Sequence, residues 1–326
     1  MGRLRAVLQL GPVSLILVGL ALATTPASAA YPERPIRIIL GFPAGSGADI
    51  MCRWFSQKLS EVSGATVVIE NKPGAAGNIA SEAIATAKPD GYSILFGGAA
   101  GLAASPAIYK NLRFDTLKDI EPVTAVAELV FALSVHPQLP VKSVADLTAY
   151  LRNKGPKATY GWAVTSAIAS TVLYLKEANL DVTQVTYKAT GQAISDVAAQ
   201  QVDFAFGDVM YVLGQQHAGK VRILATTGTR RPSAAPDIPT MQESGYQSVV
   251  VAPWWAVFVP SGVPREINDQ LAVWFDKITA MPETKDFLKS QGGDPLFGDR
   301  EYVRKRLTSD MDYWRNITKL ANLTPQ

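Results

Sequence analysis

Residues 36–62 read IRIILGFPAGSGADIMCRWFSQKLSEV, and the fold follows from the way this stretch changes period. Ile36 to Gly41 is a largely apolar run that ends in glycine, the pattern of a strand buried on both faces. Met51, Phe55, Leu59 and Val62 then recur at spacings of four, four and three, which places them along one side of a helix. Between strand and helix lies Phe42-Pro43-Ala44-Gly45-Ser46-Gly47-Ala48-Asp49. Gly45 and Gly47 let the backbone turn tightly and come close to a bound group. The helix start behind them offers unpaired N–H donors and a positive dipole end, a setting that suits a small anion. A competing account is a plain strand-to-helix turn in which Asp49 only stabilises the first helical turn.

Outward from this unit the alternation continues. Thr66 to Glu70, Tyr92 to Gly97, Thr159 to Trp162, Val182 to Thr186, Asp203 to Gly207 and Val221 to Ala225 read as further strands with helical segments between most of them. Repeated strand–helix alternation implies a mostly parallel α/β sheet. Glu128 to Val135 and Trp254 to Val259 break the pattern: both are apolar and β-prone, and they bracket a middle region the size of one small domain. If both cross between lobes, residues 30–130 and 253–326 form a discontinuous first lobe and residues 131–252 the second. Pro264 opens an amphipathic helix carrying Ile267, Leu271, Phe275 and Ile278, and Asp299 caps a last helix carrying Val303, Leu307, Met311 and Trp314. Two lobes joined by two crossing strands can close on a ligand like a hinge.

Composition narrows the function. The chain has 326 residues, 48% hydrophobic and 18% charged, with a formal net charge of +3. Two of its basic residues, Arg3 and Arg5, lie in a segment that reads as a secretory leader. That segment has an apolar core from Val13 to Ala23 and small residues at Ala27-Ser28-Ala29. Cleavage of residues 1–29 leaves an exported, soluble chain, periplasmic in a Gram-negative cell. No basic field remains to indicate nucleic acid or a membrane surface as partner. Cys52 is the only cysteine, and His136 and His217 are the only histidines, so a thiolate or imidazole metal cage cannot be assembled and no cofactor is expected.

The loops after the strands hold the polar candidates. Besides residues 42–49, these are Asn71 to Asn78, Gly97 to Gly101 with Ala99, Thr165-Ser166, Lys188-Ala189-Thr190-Gly191 and Gly207-Asp208. All follow the carboxyl ends of strands, the edge where open α/β sheets bind ligands. The 42–49 loop lacks the Lys-Ser/Thr ending of a P-loop and the third glycine of a dinucleotide fingerprint. A hydrolase or lyase using Asp49 and Cys52 has little support, since Cys52 has no histidine near it in sequence and there is no Gly-x-Ser-x-Gly elbow. The acid pairs Asp115/Asp119 and Asp310/Asp312 read as solvated.

Four motifs carry a resemblance. Tyr-Pro-x-Arg-Pro-Ile-Arg at 31–37, Phe-Pro-x-Gly-x-Gly-x-Asp at 42–49, Glu-Asn-Lys-Pro-Gly-Ala-x-Gly-Asn-Ile at 70–79 and Pro-Asp-Gly-Tyr at 89–92 are similar to those of the tripartite tricarboxylate transporter substrate-binding proteins, the Bug receptors. Tyr187-Lys188, Gln201-Val202-Asp203, Ala218-Gly219-Lys220, Asp237-Ile238-Pro239-Thr240 and Trp254 with Phe258 extend the match along the mature chain. The resemblance implies a type II periplasmic binding fold, two α/β lobes around a cleft that holds a small carboxylate without chemical change. It also implies delivery of the ligand by a monomeric receptor to a membrane transporter of one large and one small subunit; a sensor kinase is the alternative partner. On this basis Phe42, Ala44, Gly45, Ser46, Asp49, Ala99, Trp162, Thr165, Ser166, Lys188, Thr190, Gly191, Asp208 and Trp254 are the expected ligand-binding residues. Where the family carries a Gly-Asn-Gly-Ser-like stretch, this chain has Val164-Thr165-Ser166-Ala167, and Trp162 replaces a small residue. Both departures are consistent with a larger or partly aromatic carboxylate.

Overall fold

The computed structural model describes residues 31–320; the expected leader at 1–29 lies outside them. The chain runs β1 (Ile36–Leu40), α1 (Gly47–Ser63), β2 (Val67–Asn71), α2 (Asn78–Ala85), β3 (Ser93–Gly98), α3 (Ala99–Ile108), β4 (Ile120–Leu129), β5 (Phe131–Val135), α4 (Val144–Lys154), β6 (Thr159–Trp162), α5 (Thr165–Ala178), β7 (Thr183–Thr186), α6 (Thr190–Ala198), β8 (Phe204–Asp208), α7 (Val209–His217), β9 (Arg222–Thr226), β10 (Trp254–Pro260), α8 (Arg265–Ala280), α9 (Pro282–Ser290), β11 (Gly293–Pro295) and α10 (Arg300–Leu320). Two mixed sheets result, one ordered β11-β4-β10-β3-β1-β2 and the other β7-β6-β8-β5-β9.

The opening unit sets the first core. Ile36, Ile38 and Leu40 point to one face of β1, where α1 lays Met51, Cys52, Phe55 and Leu59 and α8 adds Leu271, Phe275 and Ile278. Ile39 points the other way, into a second cluster with Ala80, Ile84 and Leu95. The exception is Arg37, exposed, which pairs with Glu70 at 3.1 Å and reaches Ser93 Oγ at 3.0 Å. The face of α1 that reads as apolar is therefore the buried one. Each large apolar side chain fully removed from water there contributes about 1.5–3 kcal/mol. Asp299 caps α10, its Oδ1 accepting from Tyr302 N at 2.8 Å and its main-chain oxygen from Val303 N at 2.9 Å.

One of the two expected crossings between sheets differs in its position. Trp254 to Val259 does not bridge the sheets: it lies wholly in the first, as β10, antiparallel to both β3 and β4. Glu128 to Val135 divides at Val130, with β4 in the first sheet and β5 in the second. The two crossing points are bonded into one strip. Leu129 N donates to Pro253 O at 2.8 Å, Thr227 N donates to Phe131 O at 2.9 Å, and Thr227 Oγ1 donates to Val251 O at 2.5 Å.

Phe55 is fully buried, with its ring 5.4 Å from Phe96 and 6.4 Å from Phe275. Phe55→Ala is expected to lower unfolding stability by about 3–5 kcal/mol in urea titrations of the mature protein with an unchanged m-value. A loss below about 1 kcal/mol would contradict this packing.

Candidate functional site

Strand direction decides which loops meet. β1, β2 and β3 are parallel, so their carboxyl ends share one edge of the first sheet, and β6, β7 and β8 share one edge of the second. The antiparallel strands bring these edges together. Trp255 pairs with Gly98 at the end of β3, Trp254 pairs with Glu128 at the end of β4, and Phe131 pairs with Asp208 at the end of β8. Both carboxyl edges thus abut the crossover at residues 129–131.

Helices begin along both edges, and most of those starts lack a capping side chain. Gly77, Gly98, Val164 and Ala189 precede α2, α3, α5 and α6 without a side-chain cap, whereas Ser46 caps α1 and Asp208 caps α7. The first-turn N–H groups of a helix have no partner within it. Four such sets of donors, two from each sheet, are therefore available to an anion, reinforced by the positive ends of the helix dipoles. Glycine makes the approach possible at Gly41, where a Cβ would sit 2.9 Å from Gly77 Cα. At Gly45 the backbone turns with φ +80°.

Asp49 is 1% exposed and its carboxylate is fully engaged. Oδ2 accepts from Gly45 N at 2.9 Å and Arg53 Nε at 2.7 Å, and Oδ1 accepts from Asn71 Nδ2 at 2.9 Å and Arg53 Nη2 at 3.2 Å. The bonds from Arg53, above all, hold its pKa down to about 2. Asn71 also donates to Phe42 O at 3.0 Å, so the loop is tied to the end of β2. Asp49 shapes the loop and has no unfilled oxygen for a ligand. Ala44 and Gly45 are exposed, and Phe42, 38% exposed, lies with its ring 5.4 Å from Trp255, which in turn lies 5.6 Å from Phe96.

On the second edge Thr165 is half-buried and Ser166 buried at the start of α5. The Trp162 Nε1–H is buried and finds no acceptor among the described residues. Lys188 is exposed, with no carboxylate ion-paired to it among the described residues, and its N–H reaches Gln192 Oε1 at 3.3 Å. Thr190 and Gly191 open α6, and a Cβ at position 191 would lie 3.1 Å from the hydroxyl of exposed Tyr211. Asp208 Oδ1 accepts from Tyr211 N at 3.0 Å, and burial raises its pKa. Ala99 is the first residue of α3. A small cavity of about 30 Å³, room for a single water, is lined by Gly41, Phe42, Gly77, Ser81 and Gly98.

Trp254 takes a different position from the other candidates. Successive strand residues face opposite ways: Trp255 meets Phe42, and Trp254 turns to α10, where its Nε1 donates to Asp310 Oδ2 at 2.7 Å. The expectation that Asp310 and Asp312 are a solvated pair therefore holds for exposed Asp312 only; Asp310 is half-buried. Asn71 belongs to the second glycine loop picked out in the sequence, whereas Arg53 and Trp255, which contact the first loop, were not singled out. Arg53 could have been found from its i,i+4 spacing to Asp49. Cys52 is buried, and burial pushes its thiol up to about 12, which removes the thiolate a nucleophile requires. Among the described residues no group of three or more His, Cys, Asp or Glu could hold a metal ion, and no helix is long and apolar enough to cross a membrane.

Residues 51–323 match the family model of the tripartite tricarboxylate transporter family receptor. The chain belongs to that family. A UPF0065 protein of Bordetella bronchiseptica is 30% identical over 98% of this chain and 93% of its own length. The solved structure of R. palustris Rpa4515 with adipate is 28% identical, covers 91% of this chain and all of that one, and superposes with a TM-score of 0.78. Periplasmic binding protein BugD, also 28% identical over 91% of this chain and all of its own, gives 0.74. The fold is the type II-like one of these receptors, and the family is one of periplasmic solute-binding proteins.

The Asp49 network has a pH signature. A carboxyl whose folded pKa lies near 2 against an ordinary 3.8 stabilises the fold above the higher value, and that contribution is lost as pH falls toward the lower one. Asp49→Asn is expected to cost about 1–3 kcal/mol at pH 7, and the difference from the parent should shrink between pH 4 and pH 2 in urea titrations. A difference independent of pH would show that the charge plays no part.

Proposed function

We propose that this chain is an exported periplasmic receptor that captures a small organic carboxylate between two lobes, residues 30–130 with 253–326 and residues 131–252. In this reading it hands the ligand to a membrane transporter of one large and one small subunit. The observation that carries it is the set of four uncapped helix starts, two from each sheet, at edges that meet at one crossover. A carboxylate spanning them would accept main-chain hydrogen bonds from both sides. Only a ligand that touches both lobes favours the closed state over the open one, so this arrangement supports capture by closure.

Among the candidates, the start of α1, Thr165, Ser166 and the N–H groups of Thr190 and Gly191 would grip carboxylate oxygens. Lys188 would supply a mobile positive charge, and Trp162, Phe42 and Trp255 would flank the carbon skeleton. The adipate in the R. palustris relative supports a dicarboxylate. The aromatic surfaces leave room in the same scheme for an aryl acid. Receptor rather than enzyme is the reading that the inert Cys52 supports.

Adipate and benzoate, each in a thermal-shift titration of the mature protein, test the proposal. A ligand at a hundred times its Kd adds about 2.7 kcal/mol of stability, and small-angle scattering should show a smaller radius of gyration in its presence. Lys188→Met should weaken binding without lowering the ligand-free melting temperature. If neither acid nor a wider panel of di- and tricarboxylates shifts the melting curve, the receptor reading fails; stabilisation without contraction removes closure alone.

A further inference from the structure

The two sheets also touch away from the strip that joins them. The loop after β9 belongs to the second sheet: Met241 N donates to Thr226 O at 2.7 Å, and Ala235 is buried with Val197, Val209 and Val212. β11 belongs to the first, where Asp294 is paired with Glu128 of β4, and Leu288 of the preceding helix is buried in the first core. Between these two segments Ser233 donates to Asp294 twice, from its N–H to Oδ2 at 3.3 Å and from its hydroxyl to Oδ1. Asp294 is 9% exposed. Its carboxylate therefore directs both oxygens to a residue held by the other sheet, in a place where water screens such bonds little.

A second contact lies beside the first. Gly292 follows α9 with φ +74°, a conformation that the end of a helix assigns to glycine or asparagine. Asparagine has no room here. A Cβ would lie 2.7 Å from Val209 Cγ1 and 3.1 Å from Met210 N, and closer still to Met210 Cγ. The start of α7, on the carboxyl edge of the second sheet, thus rests directly on main chain tied to the first. Both contacts depend on the angle between the sheets. Rotation about residues 130 and 251–253 separates or crushes them, while bonds within either sheet stay as they are.

We infer that Ser233, Asp294 and Gly292 form an inter-lobe latch that holds one orientation of the two sheets and so sets the fraction of the protein ready to bind. The inference rests on the two-lobe reading of the proposed function. A ligand that fits another orientation must first break the latch, and one that fits this orientation finds it already formed. In both cases the apparent affinity scales with the competent fraction.

The test measures the distance between spin labels on Asn153→Cys and Gln270→Cys of the mature protein by double electron–electron resonance, without ligand. Both positions are exposed, and the buried Cys52 thiol is left unlabelled. Asp294→Ala is expected to broaden the distance distribution, with a population at distances the parent does not reach. Ser233→Ala, at an exposed position, should broaden it less, and it serves as the readout should Asp294→Ala fail to fold. Gly292→Ala should shift the mean distance, because its methyl group wedges α7 away from β11. Arg34→Ala breaks an exposed ion pair within the first lobe and should leave the distribution unchanged. The latch is overturned if the folded Asp294 and Ser233 variants overlay the parent, or if Arg34→Ala broadens the distribution as much. The readout needs no acid, so failure here leaves carboxylate capture standing, and the melting titrations decide that reading separately.

Discussion

Main-chain amides at the starts of helices have to find acceptors, and at the carboxyl edges of the two sheets four of the described helices begin without a side chain that provides one. Water satisfies such groups wherever it reaches them. An anion can do so at less ordering cost, because several donors are already fixed in direction by the helices they begin. Donors of this kind need no cluster of arginines, and the chain carries nearly equal numbers of basic and acidic residues. Arg53, beside the first glycine loop, is bound to Asp49. Its charge goes into the architecture of the loop.

The loop itself depends on that use of charge. Gly45 turns with a positive φ and Ala44 is exposed, so little packing restrains the segment. Its restraints are the amide of Gly45 on Asp49, the side chain of Asn71 on both Asp49 and Phe42 O, and the hydroxyl of Ser46 on Pro43 O at 2.7 Å. The backbone of the glycine loop thus rests on a buried carboxylate. Loss of one partner would leave the buried Asp49 carboxylate short of a donor, and for a buried group an unmade hydrogen bond costs more than a made one contributes.

Much of this was legible in the sequence, and the limits have physical causes. The seven strands read from Ile36–Gly41 through Val221–Ala225 all appear within a residue or so of their expected bounds, because apolar runs ending in glycine and helical spacing are both local signals. The role of Asp49 was only half visible: its place in the first helical turn is a local feature, but its bond to Asn71 joins residues on neighbouring strands that only the β1–β2 register brings together. The second of the two crossings was misplaced for a related reason. Trp254 to Val259 has the composition of any buried strand, and nothing in it announces that it pairs with β3 and β4 throughout. Nor can composition decide which of two adjacent tryptophans faces the glycine loop, since a shift of one residue exchanges them. Asp310 reads as solvated because acidic residues are rarely buried unpaired; the indole that covers it comes from β10.

The crossover also bears on why closure would be cheap. The two connecting segments are hydrogen-bonded to one another through Leu129, Pro253, Thr227 and Val251, so they form one strip. Rotation of one sheet against the other then needs dihedral changes at only a few residues around Val130 and Val251 to Pro253, with both sheets and their cores left intact. Both carboxyl edges lie beside this strip, so a modest rotation about it changes the distance between the helix starts while leaving the donors within each edge in place. A ligand that bridges the edges can therefore bias the rotation with its own hydrogen bonds, and one that engages a single edge has no leverage on it.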